Sequence, residues 1–242
     1  VKGSGLGARF LVGGYDISGD TQALDTISGG IATLDVTDIT QSAHSRLPGL
    51  RDGSMAFTVF FDKTGAHVPL SALPVADEIM SFLVAPLAVG GAGASLNAKQ
   101  IGYDPSRGAD GSLTLKSQGA GNQFGLEWGV TLTPGERTDT TATDGASLNN
   151  LAARGFGAQA YLQAVALTGT AVTVTVQHSP DNATWSTLMT FAAVTSAPQA
   201  QRISVSNTTT VDQYLRVITA GTFTSFTFMA MININPVAGV TF

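Results

Sequence analysis

A mainly β protein is predicted, and three observations predict it. First, stretches such as Val172–Val176 alternate strictly: Val172, Val174 and Val176 interleave with Thr173, Thr175 and Gln177, the period-2 pattern of a half-buried strand. Second, only 12% of the 242 residues are charged, while 43% are hydrophobic. Gly, Ala, Thr and Ser fill the gap, which favours strands and turns over solvated helices. Third, charge is divided unevenly. Residues 1–154 carry ten Lys/Arg and fifteen Asp/Glu, whereas residues 155–242 carry only Arg202, Arg216, Asp181 and Asp212. This step, with the polar run ERTDTTATDGASLNN, places a boundary between Thr138 and Gly155. The expected organisation is a β unit over 1–140 with a Gly-rich N-terminal arm, a linker over 141–155, and a jelly-roll-like β-sandwich over 156–242.

Taken in order, residues 1–30 are Gly-rich around a short apolar core, RFLVGGYDI. Gly3-Ser4-Gly5-Leu6-Gly7 matches a phosphate loop only in its glycines. It lacks the Lys-Ser/Thr ending and a preceding strand, so a flexible arm is expected. GGIATLDVTDI alternates and reads as a strand, TQSAHSRLPGLRDG as a polar connector turning at Pro48-Gly49, and SMAFTVFFD as a strong strand. A helical turn or two is expected before Pro74, and Ile79 to Val84 fits helix or strand equally. GASLNAKQIGYD reads as a strand and DPSRGADGSLT as a loop, while SLTLKSQ and FGLEWGVTLTPG read as a strand pair. From Phe156 onward, AQAYLQAVAL, AVTVTVQHS, TWSTLMTFAAV, QRISVS, YLRVITA and FTSFTFMAMININ give six or seven short strands separated by turn signals.

Several residue groups invite chemistry. His178, Ser179 and Asp181 have the side chains of a hydrolytic triad. Neighbours on an extended chain point to opposite faces, however, and triad members converge from separate parts of a fold. The Ser-Pro-Asp-Asn run reads as the turn ending a strand, so His178 and Asp181 are expected to be structural. The three histidines, His44, His67 and His178, show no metal-ligand spacing. Asp104, Ser106 and Asp110-Gly111 do not fit an EF-hand loop, and no bidentate Glu follows at the required distance. Asp35 with Asp38, and Asp77 with Glu78, lack the spacing that would specify an acid/base pair. No catalytic residue, cofactor or metal site is expected. Cysteine is absent, which excludes disulfides and thiol chemistry.

Partners are bounded in the same way. The net charge of −5 and the lack of any Lys/Arg cluster disfavour nucleic-acid binding by phosphate attraction. Phe57, Phe60, Phe61, Phe223, Phe226 and Phe228 lie in strand patterns and are expected in cores, not on stacking platforms. IMSFLVAPLAVGGAGASL is broken by Ser81, Pro86 and glycines, a poor membrane span, and VKGSGLGARF carries no signal-peptide pattern. The sequons at Asn182 and Asn207 read as chance in a Thr-rich chain.

The phrases FLVGGYDISGDTQALDTISGGIATLDVTDI, LRDGSMAFTVFFD, LSALPVAD, KQIGYDPSRGADGSLTLKSQ, GLEWGVTLTPGERTDT and FGAQAYLQAVALTGTAVTVTVQHSPDNATW, in this order, resemble the major tail (tail tube) protein family of long-tailed actinobacteriophages. The resemblance covers nearly the whole chain and rests on no catalytic signature. It implies a tail-tube-like β-sandwich or barrel for the N-terminal unit. It further implies a non-enzymatic virion subunit, made in the host cytoplasm, that forms rings, usually hexameric, stacked around a channel. The implied partners are other copies of the chain, the tape-measure protein and the tail terminator, with DNA passing through unbound and no membrane involved. Two alternatives stay open: a capsid decoration or other virion structural protein, and a carbohydrate-binding β-sandwich for host recognition, with Trp185, Asp181 and Asn182 as its visible candidates.

Overall fold

The computed structural model describes residues 4–73 and 75–237. Among them, fifteen strands and one short helix follow in order: β1 (Arg9–Val12), β2 (Tyr15–Asp16), β3 (Thr21–Asp35), β4 (Arg46–Phe60), α1 (His67–Ser71), β5 (Glu78–Leu83), β6 (Ala92–Arg107), β7 (Leu113–Gly121), β8 (Glu127–Thr131), β9 (Arg137–Asp139), β10 (Thr143–Asp144), β11 (Leu148–Asn149), β12 (Ala158–Ser179), β13 (Ser186–Thr190), β14 (Gln199–Ser204) and β15 (Tyr214–Ile234). The chain is mainly β, and the strands join into one antiparallel sheet. The helical turn expected before Pro74 is α1, and the ambiguous Ile79–Val84 stretch is strand β5.

The N-terminal core is built by one face of β4, β7, β6, β5 and β1. Along β4 the alternate residues Met55, Phe57 and Val59 are all fully buried. They meet Phe10, Val12, Met80, Leu96, Ala98 and Leu115, and burial of each large side chain contributes about 1.5–3 kcal/mol. Phe10 packs edge-on against Phe57 at 4.8 Å between centroids. Helix α1 closes one end through Leu70. The expected flexible arm is therefore corrected beyond its first residues. Phe10, Leu11, Val12 and Ile17 are buried, and β1 pairs with β5, because the apolar run RFLV gains more from the core than a free arm loses in entropy. Gly3 lies outside the described residues.

The C-terminal core has an economical construction. The short strands read from the sequence merge in pairs: AQAYLQAVAL and AVTVTVQHS are one strand, β12, and YLRVITA and FTSFTFMAMININ are one strand, β15. The two pair along nearly their whole length. Straight, 22 residues would span about 70 Å, longer than a domain of this size. The ribbon instead bends where register shifts flank Gly169. Gly169 (φ +154°) and Gly221 (φ +136°) take conformations that disfavour side chains. A Cβ on Gly221 would lie 2.3 Å from the Ala171 carbonyl oxygen. The bend brings Ala158, Ala160, Leu162 and Ala164 into one core with Val172, Val174 and Val176, to which the paired strand β15 adds Phe226, Phe228, Leu215 and Val217. β14 and β13 extend the two limbs of β12, while β8, β9, β10 and β11 extend those of β15. The result is a sandwich made by one folded ribbon.

Residues 141–155, expected as a linker, lie along β15 as β10 and β11, and Arg154 bridges Val211. The halves also share a small core of Leu11, Ile79, Leu83, Tyr161, Met229 and Met231. Buried Gln163 of β12 accepts from the Gly14 amide at 2.6 Å and donates to the Ile79 carbonyl at 2.8 Å.

Candidate assembly surface

β3 and β4 form a hairpin paired from Thr21↔Val59 to Asp35↔Arg46. Of the stretch read as a connector turning at Pro48-Gly49, residues 40–45 are the hairpin tip, but residues 46–53, Pro48-Gly49 included, belong to β4. Two of the hairpin's three register shifts, at Thr21/Ala23 and Leu24/Thr26, place the extra residue on β3, whereas the third, at Ile31/Thr33, places it on β4 between Pro48 and Arg51, so β4 alternates regularly only from Arg51 onward. The face that buries Met55, Phe57 and Val59 continues outward through Gly53 to Arg51, and beyond the shift Leu47 is 53% exposed. Leu47 pairs with Leu34 across the ribbon. Ile31, Val36, Ile39 and Leu50 are exposed on the same hairpin. The outer part of the hairpin thus holds large apolar side chains in water.

The tip, by contrast, is tightly made. Asp35 accepts the Thr37 amide at 3.0 Å and faces His44 Nδ1 at 3.0 Å, and Asp38 accepts the Thr40 amide at 2.8 Å. The Thr37 and Thr40 hydroxyls and amides hold both carboxyls below their ordinary value. These two aspartates are turn-makers, which accounts for their spacing.

Two sheet edges are open on the same body. The order β3–β4–β7–β6 makes a four-stranded antiparallel sheet. Among the described residues β3 pairs only with β4, and β6 beyond Ala98 pairs only with β7. The sheet's second face is largely polar, with Phe60 exposed at one end. Register aligns Ala56 with Gln118 and Gly102, and Thr58 with Lys116 and Asp104. Asp25 joins this face by accepting from the Thr58 hydroxyl at 2.9 Å.

The residues singled out in the sequence fall elsewhere and stay apart. His178 Nδ1 lies 2.9 Å from the Asp212 carboxylate. Fully buried Ser179 donates to Asp181 at 2.9 Å. Asp181 also accepts the amides of Ala183 and Thr184, which pull its pKa down to about 2. Base and nucleophile therefore do not meet, and the run is a capped turn. One face of Trp185 is occupied by the Arg216 guanidinium, 4.4 Å from the ring centroid. His67 bonds the Tyr103 hydroxyl and packs on Phe61. Asp110 caps its own turn through Ser112 at 3.0 Å, while Asp104 and Ser106 belong to β6. Asp77 is gripped by Lys99 at 2.6 Å and by Asn97 and Asn122 at 2.9 Å, which lowers its pKa, with Lys99 first. Burial raises neighbouring Glu78. Among the described residues no cluster of His, Asp and Glu is placed to hold a metal, and no helix is long and apolar enough to cross a membrane. Phe57, Phe226 and Phe228 are core residues, whereas Phe60 is 47% exposed.

One group had no signal in the sequence. Glu127, Tyr161 and Arg202 form a buried network: Arg202 Nη2 reaches Glu127 Oε1 at 2.8 Å and Nε reaches the Tyr161 hydroxyl at 3.0 Å, while that hydroxyl donates to Glu127. Burial, then the Glu127 charge, raises the Tyr161 pKa. The Arg202 guanidinium also lies 3.6 Å from the centroid of Phe124. No family model matches this sequence, and no curated protein matches it.

Proposed function

We propose that this chain is a structural virion protein, a subunit of a phage tail tube that assembles as stacked rings around a DNA channel. The observation that carries the reading is the four-stranded sheet with two open edges. Because four is an even number, β3 and the outer part of β6 run antiparallel. In a ring of equivalently oriented copies, β6 of one copy meets β3 of the next in the antiparallel sense, and closure removes every edge. The hairpin supports stacking. A two-stranded ribbon is marginal alone in water, and this one carries six exposed large apolar residues, so a neighbouring copy is its natural cover.

In this reading the solvated sheet face lines the bore. It offers Ser, Thr, Gln, Ala and Phe60 with Asp25 and Asp104 against Lys116 and a Lys99 already paired with Asp77, a wall without the basic cluster that would trap phosphate. The tape-measure protein fills the bore before DNA passes, and the tail terminator caps the last ring. The folded ribbon of β12 and β15 lies outside the tube. Capsid decoration and glycan binding receive less support: the first leaves the bore-like face unexplained, and the second would need the Trp185 face that Arg216 covers.

Electron microscopy of the purified protein over a concentration series tests the reading. Rings or tubes with a central channel are expected. Monodisperse monomers or closed two-fold dimers throughout would overturn it.

A further inference from the structure

The hairpin leaves the body over one small loop, residues 122–126, between β7 and β8. Gly29 and Gly53 face each other across its base. A Cβ on either would come within 2.6 Å of Leu126, so the ribbon rests on that side chain without a gap. Gly125 in turn lies against Arg51, where an added Cβ would sit 3.2 Å from the Arg51 Cβ. The loop is tied at its start to the N-terminal half, because the Asn122 amide donates to the Asn97 carbonyl at 2.9 Å and its side chain to Asp77. At its end it is tied to the C-terminal half. Phe124 lies under Arg202, and Glu127 completes the buried network with Arg202 of β14 and Tyr161 of β12.

We propose that the C-terminal half sets the angle of the hairpin through this loop, with Arg202 acting as a positioning residue for assembly. Arg202 is the only one of the four charged residues after Gly155 that pairs with a buried carboxylate, its side chain 8% exposed and that of Glu127 fully buried. Desolvating such a pair gives little net stability, and its position explains its use: it fixes a short loop between the sandwich and the glycine pair on which the hairpin rests. The C-terminal half is then part of the assembly device and not a detachable ornament. Its effect on assembly rests on the tail-tube reading, but the coupling itself is a property of the single subunit.

Hydrogen–deuterium exchange on the unassembled full chain tests this. Phe124→Leu and Leu126→Ala free the loop while leaving the ion pair in place, and the double variant Glu127→Gln/Arg202→Met removes the pair without stranding a charge. In each, amides of residues 29–35 and 47–53 should exchange about tenfold faster, with β12 and β15 unchanged, as expected for local rather than global opening. Polymerisation should slow in parallel. Unchanged hairpin exchange in all three variants would overturn the proposal, as would exchange rising equally in hairpin and sandwich. If the wild-type chain never assembles, the tail-tube reading falls while the exchange result still decides the coupling.

Discussion

The two halves of the molecule finish their surfaces in opposite ways. The N-terminal half leaves Ile31, Leu34, Val36, Ile39, Leu47, Leu50, Phe60, Val68, Ile101 and Leu113 in water, along with most of the charge. After Gly155, among the described residues, the only large apolar side chain exposed is Val237. The four charges there are all engaged: Arg202 with Glu127, Arg216 with Asp144 at 2.9 Å, Asp212 with His178, and Asp181 with its own turn. The sandwich surface is completed by Thr, Ser, Gln and Asn. A near-neutral surface of hydroxyls and amides is stable in water as it stands, whereas an apolar stripe on a projecting ribbon is not. The near-neutral half thus covers its apolar groups itself, whereas the more highly charged half leaves a group of them in water on its hairpin.

The largest expected effect breaks this contrast at the hairpin. The double variant Leu34→Asp/Leu47→Asp replaces a cross-strand apolar pair that a neighbour would bury. Losing two such side chains from an interface removes about 3–6 kcal/mol per contact, a hundredfold or more in affinity. Sedimentation should show the critical concentration rising by at least that factor. The isolated subunit should hardly change, since exposed substitutions stay within about 0.5 kcal/mol. Normal assembly in this variant would mean that the stripe is not an interface. The equivalent change in the other half, Thr175→Asp/Thr190→Asp on the exposed pair of β12 and β13, should leave assembly intact.

A second test asks whether the contrast is one of surface alone. The two tryptophans fall one in each half, Trp128 on β8 and Trp185 before β13. With Trp128→Phe and Trp185→Phe as single-reporter proteins, urea unfolding followed by fluorescence should give coincident midpoints. The shared core and the Gln163 and Arg202 bonds cross between the halves, and coincidence of probes marks two-state behaviour. Gly221→Val, forced against the Ala171 carbonyl, should cost about 3 kcal/mol or more of stability and lower both midpoints together. A fall seen by Trp185 alone would show two independently folding units.

How much was legible beforehand follows the same division. Alternation in Val172–Val176 and in SMAFTVFFD identified strands because packing there obeys the local period. Strand length was not legible. Gly169 and Gly221 look like turn residues, and only their pairing to opposite strands makes them a bend within a continuous ribbon. Pro48 looked like a turn because proline interrupts most sheets. It is accommodated where β4 has a single neighbour, since β7 pairs only from Ser54 onward. The ion pair between Glu127 and Arg202 spans 75 positions, and no local pattern announces a contact that the topology alone creates. The apolar hairpin was visible as residues but not as exposure, because alternation looks the same whether or not a core lies beneath it.

The smallest effect expected is in pH, where the buried junction glutamates and the turn-capping aspartates act with opposite sign. Near the junction, burial raises Glu136 above its ordinary value of 4.5, with the neighbouring Asp16 charge adding to the shift and Arg9 opposing it. Burial likewise raises Glu78. A carboxyl whose folded pKa is raised binds its proton more tightly when folded, so its contribution falls as pH climbs through the window above 4.5 and is recovered as pH is lowered toward 4.5. In the C-terminal half Asp181 is shifted the other way, from 3.8 to about 2, by the Thr184 and Ala183 amides first. The stability it contributes is present above 3.8 and is lost as pH falls toward 2. Thermal midpoints should therefore rise modestly from neutral pH toward 4.5 and then fall. Glu136→Gln should flatten the rise without touching the fall, and Asp181→Asn should soften the fall without touching the rise. A profile that declines steadily from neutral pH, or one that Glu136→Gln leaves unaltered, would show that the junction carboxyls are solvated and that the halves meet less tightly than their shared core implies.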